Sequence, residues 1–444
     1  MRVALVATYE LGRQPFGLAS PAAWLRRAGV DVTCLDLSRQ PFDAAVADAD
    51  LVAFHLPMHT ATRLAVPVIA QVRRLNPAVR LCAYGLYAPL NAEFLKSVGV
   101  DHLLGGEFEA DLVRLAADIS TGAEVSAPAQ ELPRLDLIAP SRSGLPPLDR
   151  YATLQHGPVR KTVGYTEASR GCKHACRHCP IVPVYGGRFR VVRPHVVIAD
   201  VAAQVEQGAG HITFGDPDFF NGVKHAMRVV EGVAQRFPGL TYDVTIKVEH
   251  LIAHADLLPR LRDTGCLFVT SAAESFDDAV LRRLDKGHTR DDIARAVGLS
   301  RAAGVVLAPT FVAFTPWTTI DGYREMLSEI ERLDLVEQVA PIQLALRLLV
   351  TSGSRLRELG DLRARLGPFD HERLVYPWRH PDPRVDRMAD DIRALVGRRM
   401  TTDRRKMFDA VRALAHGGHR AAPVGAGSAR SRVDVPYLNE PWYC

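Results

Sequence analysis

Lysine is scarce in this 444-residue chain: it supplies 7 of the 55 basic residues, and arginine the other 48. The formal charge is only +5 and no dense basic tract occurs, so neither a nucleic-acid surface nor a membrane-surface patch is expected. No apolar run approaches the roughly 18–20 residues that a membrane helix requires. The opening Met1-Arg2-Val3-Ala4-Leu5-Val6-Ala7 is too short an apolar stretch for a secretory signal. Cysteines number 7, an odd count, and three of them fall between residues 172 and 179. That pattern argues against a disulfide framework and for a protein of the reducing cytoplasm. Hydrophobic residues at 47% and charged residues at 24% exclude wholesale disorder, and the length suits two or three domains that need no covalent staples.

The first 120 residues alternate short apolar runs with amphipathic stretches. Strands are expected at 2–7, 31–35, 50–56, 80–84 and 101–104, with helices at 21–28, 60–75, 91–97 and 107–119. Strands separated by helices imply a parallel, doubly wound (Rossmann-like) sheet whose ligands sit at the carboxyl ends of the strands. The first turn carries Gly12 and Gly17 but no G-x-G-x-x-G, which disfavours dinucleotide binding. Residues 121–154 read as a proline-rich linker. A second alternating series over 155–350 follows, with strands at 162–167, 211–215, 242–248, 266–272, 305–313 and 342–349. Six strand–helix repeats predict a partial (β/α)6 TIM barrel with its working face at the carboxyl ends. Residues 351–420 read as a helical, Arg-rich region, and 421–444 as a loose tail.

After the first strand of that series comes Gly171-Cys172-Lys173-His174-Ala175-Cys176-Arg177-His178-Cys179-Pro180, a C-x3-C-x2-C spacing. Three thiolates on one short loop can ligate three irons of a cubane and leave the fourth open. Zinc, completed by His174 or His178, is the alternative. Three free core thiols would be a third reading, but the loop is too polar for a core.

With its position at the head of a strand–helix series, this motif resembles the radical S-adenosylmethionine superfamily. The resemblance implies a [4Fe–4S] cluster on Cys172, Cys176 and Cys179. It also implies S-adenosylmethionine on the open iron, and reductive cleavage to methionine and a 5′-deoxyadenosyl radical. It places His178 near the adenine, Asp216 and Asp218 near the methionyl amine, and Glu274 and Ser275 near the nucleoside. Turn and helix-capping roles are the plainer alternatives for Asp216, Asp218 and Ser275. A reducing donor such as flavodoxin or ferredoxin is the expected partner, and the substrate, a small molecule or a peptide, is not specified.

The doubly wound domain resembles the cobalamin-binding domain of one class of these proteins. The D-x-H-x-x-G signature that supplies a histidine to cobalt is missing, so cobalamin binding and a merely retained fold both stay open. His55, His59 and His102 are the histidines near the strand ends. Residues 436–444 resemble the end of a radical S-adenosylmethionine group whose chains finish in Cys-Sec-Ala-Glu-Pro or Cys-Cys-Ala-Glu-Pro. The expectation is a chain cut short at a selenocysteine codon, with Cys444 part of a redox tail; an apolar docked terminus is the alternative. Together these features predict a radical S-adenosylmethionine enzyme, a methyltransferase if cobalamin binds. A non-catalytic iron–sulfur electron carrier or sensor is the competing class.

Overall fold

The computed structural model describes residues 1–124, 132–398, 403–417 and 435–439. Five strands form the first sheet: β1 (Arg2–Ala7), β2 (Asp31–Asp36), β3 (Leu51–His55), β4 (Arg80–Tyr84) and β5 (His102–Leu104). All neighbours are parallel and the order is β2-β1-β3-β4-β5. Such an order reverses between β1 and β3, and ligands of open parallel sheets bind at that switch point. The three central strands, β1, β3 and β4, are buried on both faces, which is why they read as continuous apolar runs rather than alternating ones.

The first helix, Phe16–Arg27, begins five residues earlier than expected, because Pro21 lies inside it rather than at its start. Proline leaves the carbonyl four residues back, that of Gly17, without its helical donor. The buried Tyr84 hydroxyl donates to that carbonyl at 2.8 Å.

The second sheet has the order β13-β12-β11-β10-β7-β6-β14. Its five parallel strands are β7 (Val159–Thr166), β10 (Ala209–Phe214), β11 (Thr241–Thr245), β12 (Cys266–Glu274) and β13 (Val306–Phe311). Helices Pro194–Glu206, Val223–Arg236, Leu258–Asp263, Arg290–Ala302 and Ile320–Arg332 cover the outside, and their apolar faces form one continuous core with the strands. The sixth strand expected over 342–349 is not formed. Pro341 opens a 3-10 turn over Pro341–Leu344, and only a single parallel bridge, Phe314 to Arg347, extends the sheet.

Two antiparallel additions lengthen the other edge. β6 (Thr153–His156) pairs with β7, so the proline-rich connection ends in a strand before residue 154. β14 (Tyr437–Asn439) pairs with β6, so this part of the expected loose tail is an edge strand. A hairpin of β8 (Ser169–Gly171) and β9 (Phe189–Val191) frames the cysteine loop. Helices Pro383–Arg398 and Arg404–Ala415 pack on the barrel core, as the periodicity predicts. Cys444 lies outside the described residues. Among the described residues no helix is long and apolar enough to cross a membrane.

Two buried networks join the sheets. Arg142 places its guanidinium on both oxygens of Asp200, at 3.0 and 2.9 Å, and also donates to Gln14 Oε1 and the Tyr165 carbonyl. Arg170, two residues before Cys172, meets Glu109 at 2.7 Å, Glu107 at 3.3 Å and Glu167 at 2.7 Å. Burial pushes Glu167 up to about 7 against the pull of Arg170. At Glu109 the same burial is outweighed by Arg170, which holds the carboxyl below its ordinary range.

Candidate functional site

The carboxyl ends of the parallel strands converge on the loop that carries Cys172, Cys176 and Cys179. Cys172 and Cys176 are buried and Cys179 is half-buried. Backbone contacts set the loop: Arg177 N–H donates to the Leu284 carbonyl at 2.9 Å, and Cys179 N–H to the Cys176 carbonyl at 3.2 Å. The Lys173 N–H and the Cys172 thiol both approach Asn221 Oδ1. Arg355 and Ser354, from the region after the barrel, hold the Ala175 and Arg177 carbonyls. Burial raises the Cys172 thiol and pushes Cys179 up to about 12. Metal ligation would therefore have to displace their protons. Cys179 also lies near Tyr87, on the turn after β4, so the first domain reaches the cysteine loop.

The donor set fits a three-thiolate cluster. Among the described residues the other cysteines are Cys34 on β2, Cys82 on β4 and Cys266 at the amino end of β12, all buried within their strands. None can complete a four-thiol set on this loop. Among the described residues three soft sulfur ligands therefore meet on this loop, a set that would hold three irons of a cubane and leave the fourth open.

His178 is brought to Glu274, with Nε2 and Oε1 3.1 Å apart, and Lys286 Nζ stands 3.5 Å from the same oxygen. Burial alone would raise the Glu274 carboxyl, but Lys286 and His178 hold it at about 2. Glu274 sits at φ +67°, after a shift in the pairing of β12 with β13. A non-glycine residue in this left-handed region is strained, and such strain concentrates at functional sites. Ser275 Oγ accepts the Asp277 N–H at 3.0 Å, a local turn contact, while Asp277 itself caps the helix Asp278–Leu284.

Asp216 and Asp218 also reach the loop, yet both are buried and engaged within the protein. Asp216 accepts the Ala168 N–H at 2.9 Å and the Ser169 hydroxyl at 2.6 Å, and burial pushes it up to about 7. Asp218 Oδ1 caps the turn Phe219–Gly222, and Oδ2 lies 2.6 Å from His250 Nδ1 and 3.3 Å from His174 Nε2. Lys247, Glu249 and His250, just past β11, and Lys286 and His288, after the helix that follows β12, were not anticipated. The signal available was Lys247-Val248-Glu249-His250 at a strand's carboxyl end, a place that carries function in barrels.

In the first domain a cavity of about 520 Å3 opens over the switch point, lined by Thr8, Gly12, Ser38, Arg39, Thr60 and Arg63 among others. His55 is buried beside it, in a cradle of Gly17 and Gly85 against Tyr84 and Phe108. His59 Nε2 is 2.6 Å from the Arg373 carbonyl, and His102 is half-buried on β5.

A parallel half-barrel presenting three thiols after its first strand, with acids, lysines and histidines converging from the later strands, defines an iron–sulfur half-barrel protein. Residues 166–326 match the family model of the Radical SAM superfamily, and the chain carries a radical SAM domain. It is 22% identical over 326 residues to the hopanoid C-3 methylase of Methylococcus capsulatus, covering 68% of this chain and 62% of that protein. It is likewise 22% identical to the anaerobic magnesium-protoporphyrin IX monomethyl ester cyclase of Rubrivivax gelatinosus, covering 52% of this chain and 46% of that one. The chain thus spans less than two thirds of the length of these relatives.

Among solved structures it resembles the cobalamin-dependent S-adenosylmethionine radical enzyme OxsB with aqua-cobalamin and S-adenosylmethionine bound. That match has a TM-score of 0.71 at 13% identity over 94% of this chain and 72% of the other. The radical S-adenosylmethionine methyltransferase TsrM of Kitasatospora setae, with cobalamin and a [4Fe–4S] cluster bound, matches with a TM-score of 0.58 at 18% identity, over 75% of this chain and 73% of the other. The α/β fold with its half-barrel sheet is shared with both.

Proposed function

We propose that this protein is a radical S-adenosylmethionine enzyme whose first domain binds cobalamin and whose reaction is a methyl transfer. The observation that carries the first part is the three-thiol loop at the mouth of the half-barrel. Cys172, Cys176 and Cys179 would hold a [4Fe–4S] cluster, which would supply the electron for reductive cleavage of S-adenosylmethionine. The chain's own side chains then bind, position and shield.

Asp216 takes the Ala168 and Ser169 donors just after β7 and so fixes the entry to the loop. Because its carboxylate is spent there, we assign it to ordering the loop rather than to holding an ammonium. The His178–Glu274 pair stands on the loop's other side and is our candidate for the nucleoside end. Lys286, a buried cation beside Glu274, keeps that carboxylate ionised and is available to an anionic group of the ligand. A low-potential donor such as flavodoxin or ferredoxin completes the system, and a reducing cytoplasm suits the cluster.

The cobalamin reading rests on the cavity at the β1/β3 switch point and on its two arginines, which suit the phosphate of the cofactor's nucleotide end. His55 is too deeply enclosed to reach cobalt, in keeping with the missing D-x-H-x-x-G motif. The structural likeness to cobalamin-bound OxsB and TsrM and the resemblance to a methylase point the same way.

The test is anaerobic loading with iron and sulfide, followed by electron paramagnetic resonance of the reduced protein with and without S-adenosylmethionine. A reduced cubane whose signal changes on adding S-adenosylmethionine supports the reading; a signal indifferent to it supports an electron carrier. Titration with hydroxocobalamin should give a complex that Arg39→Ala and Arg63→Ala weaken.

A further inference from the structure

Asn221 stands on the turn Phe219–Gly222, after β10, and meets the start of the cysteine loop. Several contacts lock it there. Its N–H donates to the Asp218 carbonyl at 3.0 Å, and its own carbonyl accepts the Lys173 ammonium at 3.0 Å. In the side chain, Oδ1 meets the Lys173 N–H at 3.4 Å and the Cys172 thiol at 3.8 Å. The residue is 4% exposed, and Nδ2 is shut off from solvent with no acceptor among the described residues. Exchanging the two ends of the amide would not cure this, because Nδ2 would then face the Lys173 N–H, donor against donor. Nearly all buried donors have a partner, and one without calls for a reason.

The chemistry of the loop supplies one. A cysteine sulfur bound to iron carries no proton, and neither do the sulfides of a cubane, so every sulfur of the cluster accepts hydrogen bonds and donates none. The loop's own polar side chains are turned elsewhere: Lys173 to the Asn221 carbonyl, His174 to Glu249 at 2.9 Å, and His178 to Glu274 at 3.1 Å. The Asn221 amide keeps two N–H donors on Nδ2. Both ends of that amide belong to one small planar group. An amide whose oxygen touches the Cys172 sulfur therefore carries its N–H groups to the same corner of the cluster. It donates there without adding charge.

Resting on the cluster reading above, we propose that Asn221 Nδ2 donates a hydrogen bond to a cluster sulfur at the Cys172 corner and thereby raises the reduction potential. Reduction adds one electron from the external donor and makes the cluster more negative. A hydrogen bond to sulfur favours that state, and such bonds are among the levers that set cluster potentials. No proton moves, since the amide keeps its hydrogens throughout. Asn221 thus eases reduction of the cluster by a low-potential protein donor.

The test is a redox titration of the full chain, loaded anaerobically with iron and sulfide and followed by electron paramagnetic resonance. Asn221→Leu should keep the iron content of the parent and be harder to reduce. At any fixed potential its ratio of reduced to oxidised cluster should fall about tenfold, a midpoint about 59 mV more negative for one electron. Asn221→Asp keeps an oxygen for the Lys173 N–H but replaces the donors with charge, and should fall at least as far. An unmoved midpoint in Asn221→Leu overturns the proposal, because a merely structural asparagine would alter stability or iron content and leave the potential alone. Should Asn221→Leu fail to fold or to hold iron, pulsed resonance on the parent and Asn221→Asp decides. An exchangeable proton coupled to the reduced parent cluster and missing from the variant supports the proposal; identical couplings in the two overturn it. A parent that assembles no cubane overturns the cluster reading and this proposal with it, whereas a cubane indifferent to Asn221 overturns this proposal alone.

Discussion

Replacing Arg142 by Met tests how the two sheets are held together. The Arg142 and Asp200 side chains are 2% and 1% exposed, so the pair is insulated from water. Among the described residues, removing the guanidinium leaves the Asp200 carboxylate with only the Gln204 amide, 3.1 Å from its Oδ2. It also leaves the Tyr165 carbonyl and Gln14 Oε1 without this donor. Breaking a buried pair from one side costs about 3–5 kcal/mol. Each buried acceptor left unpaired adds about 1–3 kcal/mol unless water enters. Arg142→Met should therefore lose at least about 3 kcal/mol in urea unfolding, followed together by circular dichroism and tryptophan fluorescence. The double variant Arg142→Met with Asp200→Leu should recover more than half of that loss, because a buried ion pair replaced by apolar groups is often near neutral. A single variant within about 1 kcal/mol of the parent, the scale of a surface pair, would refute the reasoning. So would a double variant no more stable than the single.

Other consequences follow from particular contacts. Burial and the neighbouring Lys286 depress His288 to about 4, below the ordinary 6.5, so its neutral form stabilises the fold above the unfolded value, and that stability is lost as pH falls from about 6.5 toward 4. The His288 contribution to that loss is about 2–3 kcal/mol across the window, read as the difference between the parent and His288→Gln in a series of melts at stepped pH, since the raised carboxyls of Glu167 and Asp216 act in the opposite direction in both proteins. A β-carbon at Gly17 would come within 2.0 Å of the His55 ring, so Gly17→Ala should destabilise the first domain by about 1–3 kcal/mol; a melt unchanged from the parent would count against the cradle. In the metal-free native chain at neutral pH, Cys34, Cys82 and Cys266 should resist alkylation, since all are buried and burial pushes their thiols up, Cys34 to about 11. Mass spectrometry should find them modified only after unfolding.

The parallel strands were legible because each is an apolar run bounded by a turn residue. β1 and β4 fall where the sequence places them, and the others differ by a few residues at their ends. What local patterning misjudged depended on distant partners. Pro21 reads as a helix start, and only the Tyr84 hydroxyl from another strand lets it sit inside the helix. The apolar run 342–349 has strand composition, but Pro341 and a lack of pairing beyond Arg347 leave it a turn and a bridge. β6 and β14 are short and polar, and become strands by pairing antiparallel at the barrel edge.

At the site, the cysteine spacing identified the loop because it is a local motif. His178 and Glu274 came from the family resemblance, and the structure brings them together. His250 and Glu249 carry no local signature; they join His174 and Asp218 only because the ends of β10 and β11 are neighbours in the sheet.

The central claim is that the loop of Cys172, Cys176 and Cys179 holds a cluster that cleaves S-adenosylmethionine. The most direct test incubates the anaerobically loaded chain with dithionite and S-adenosylmethionine and quantifies 5′-deoxyadenosine by mass spectrometry. The account predicts formation of 5′-deoxyadenosine and methionine that Cys176→Ala abolishes. A fully loaded, fully reduced cluster that leaves S-adenosylmethionine intact would contradict it.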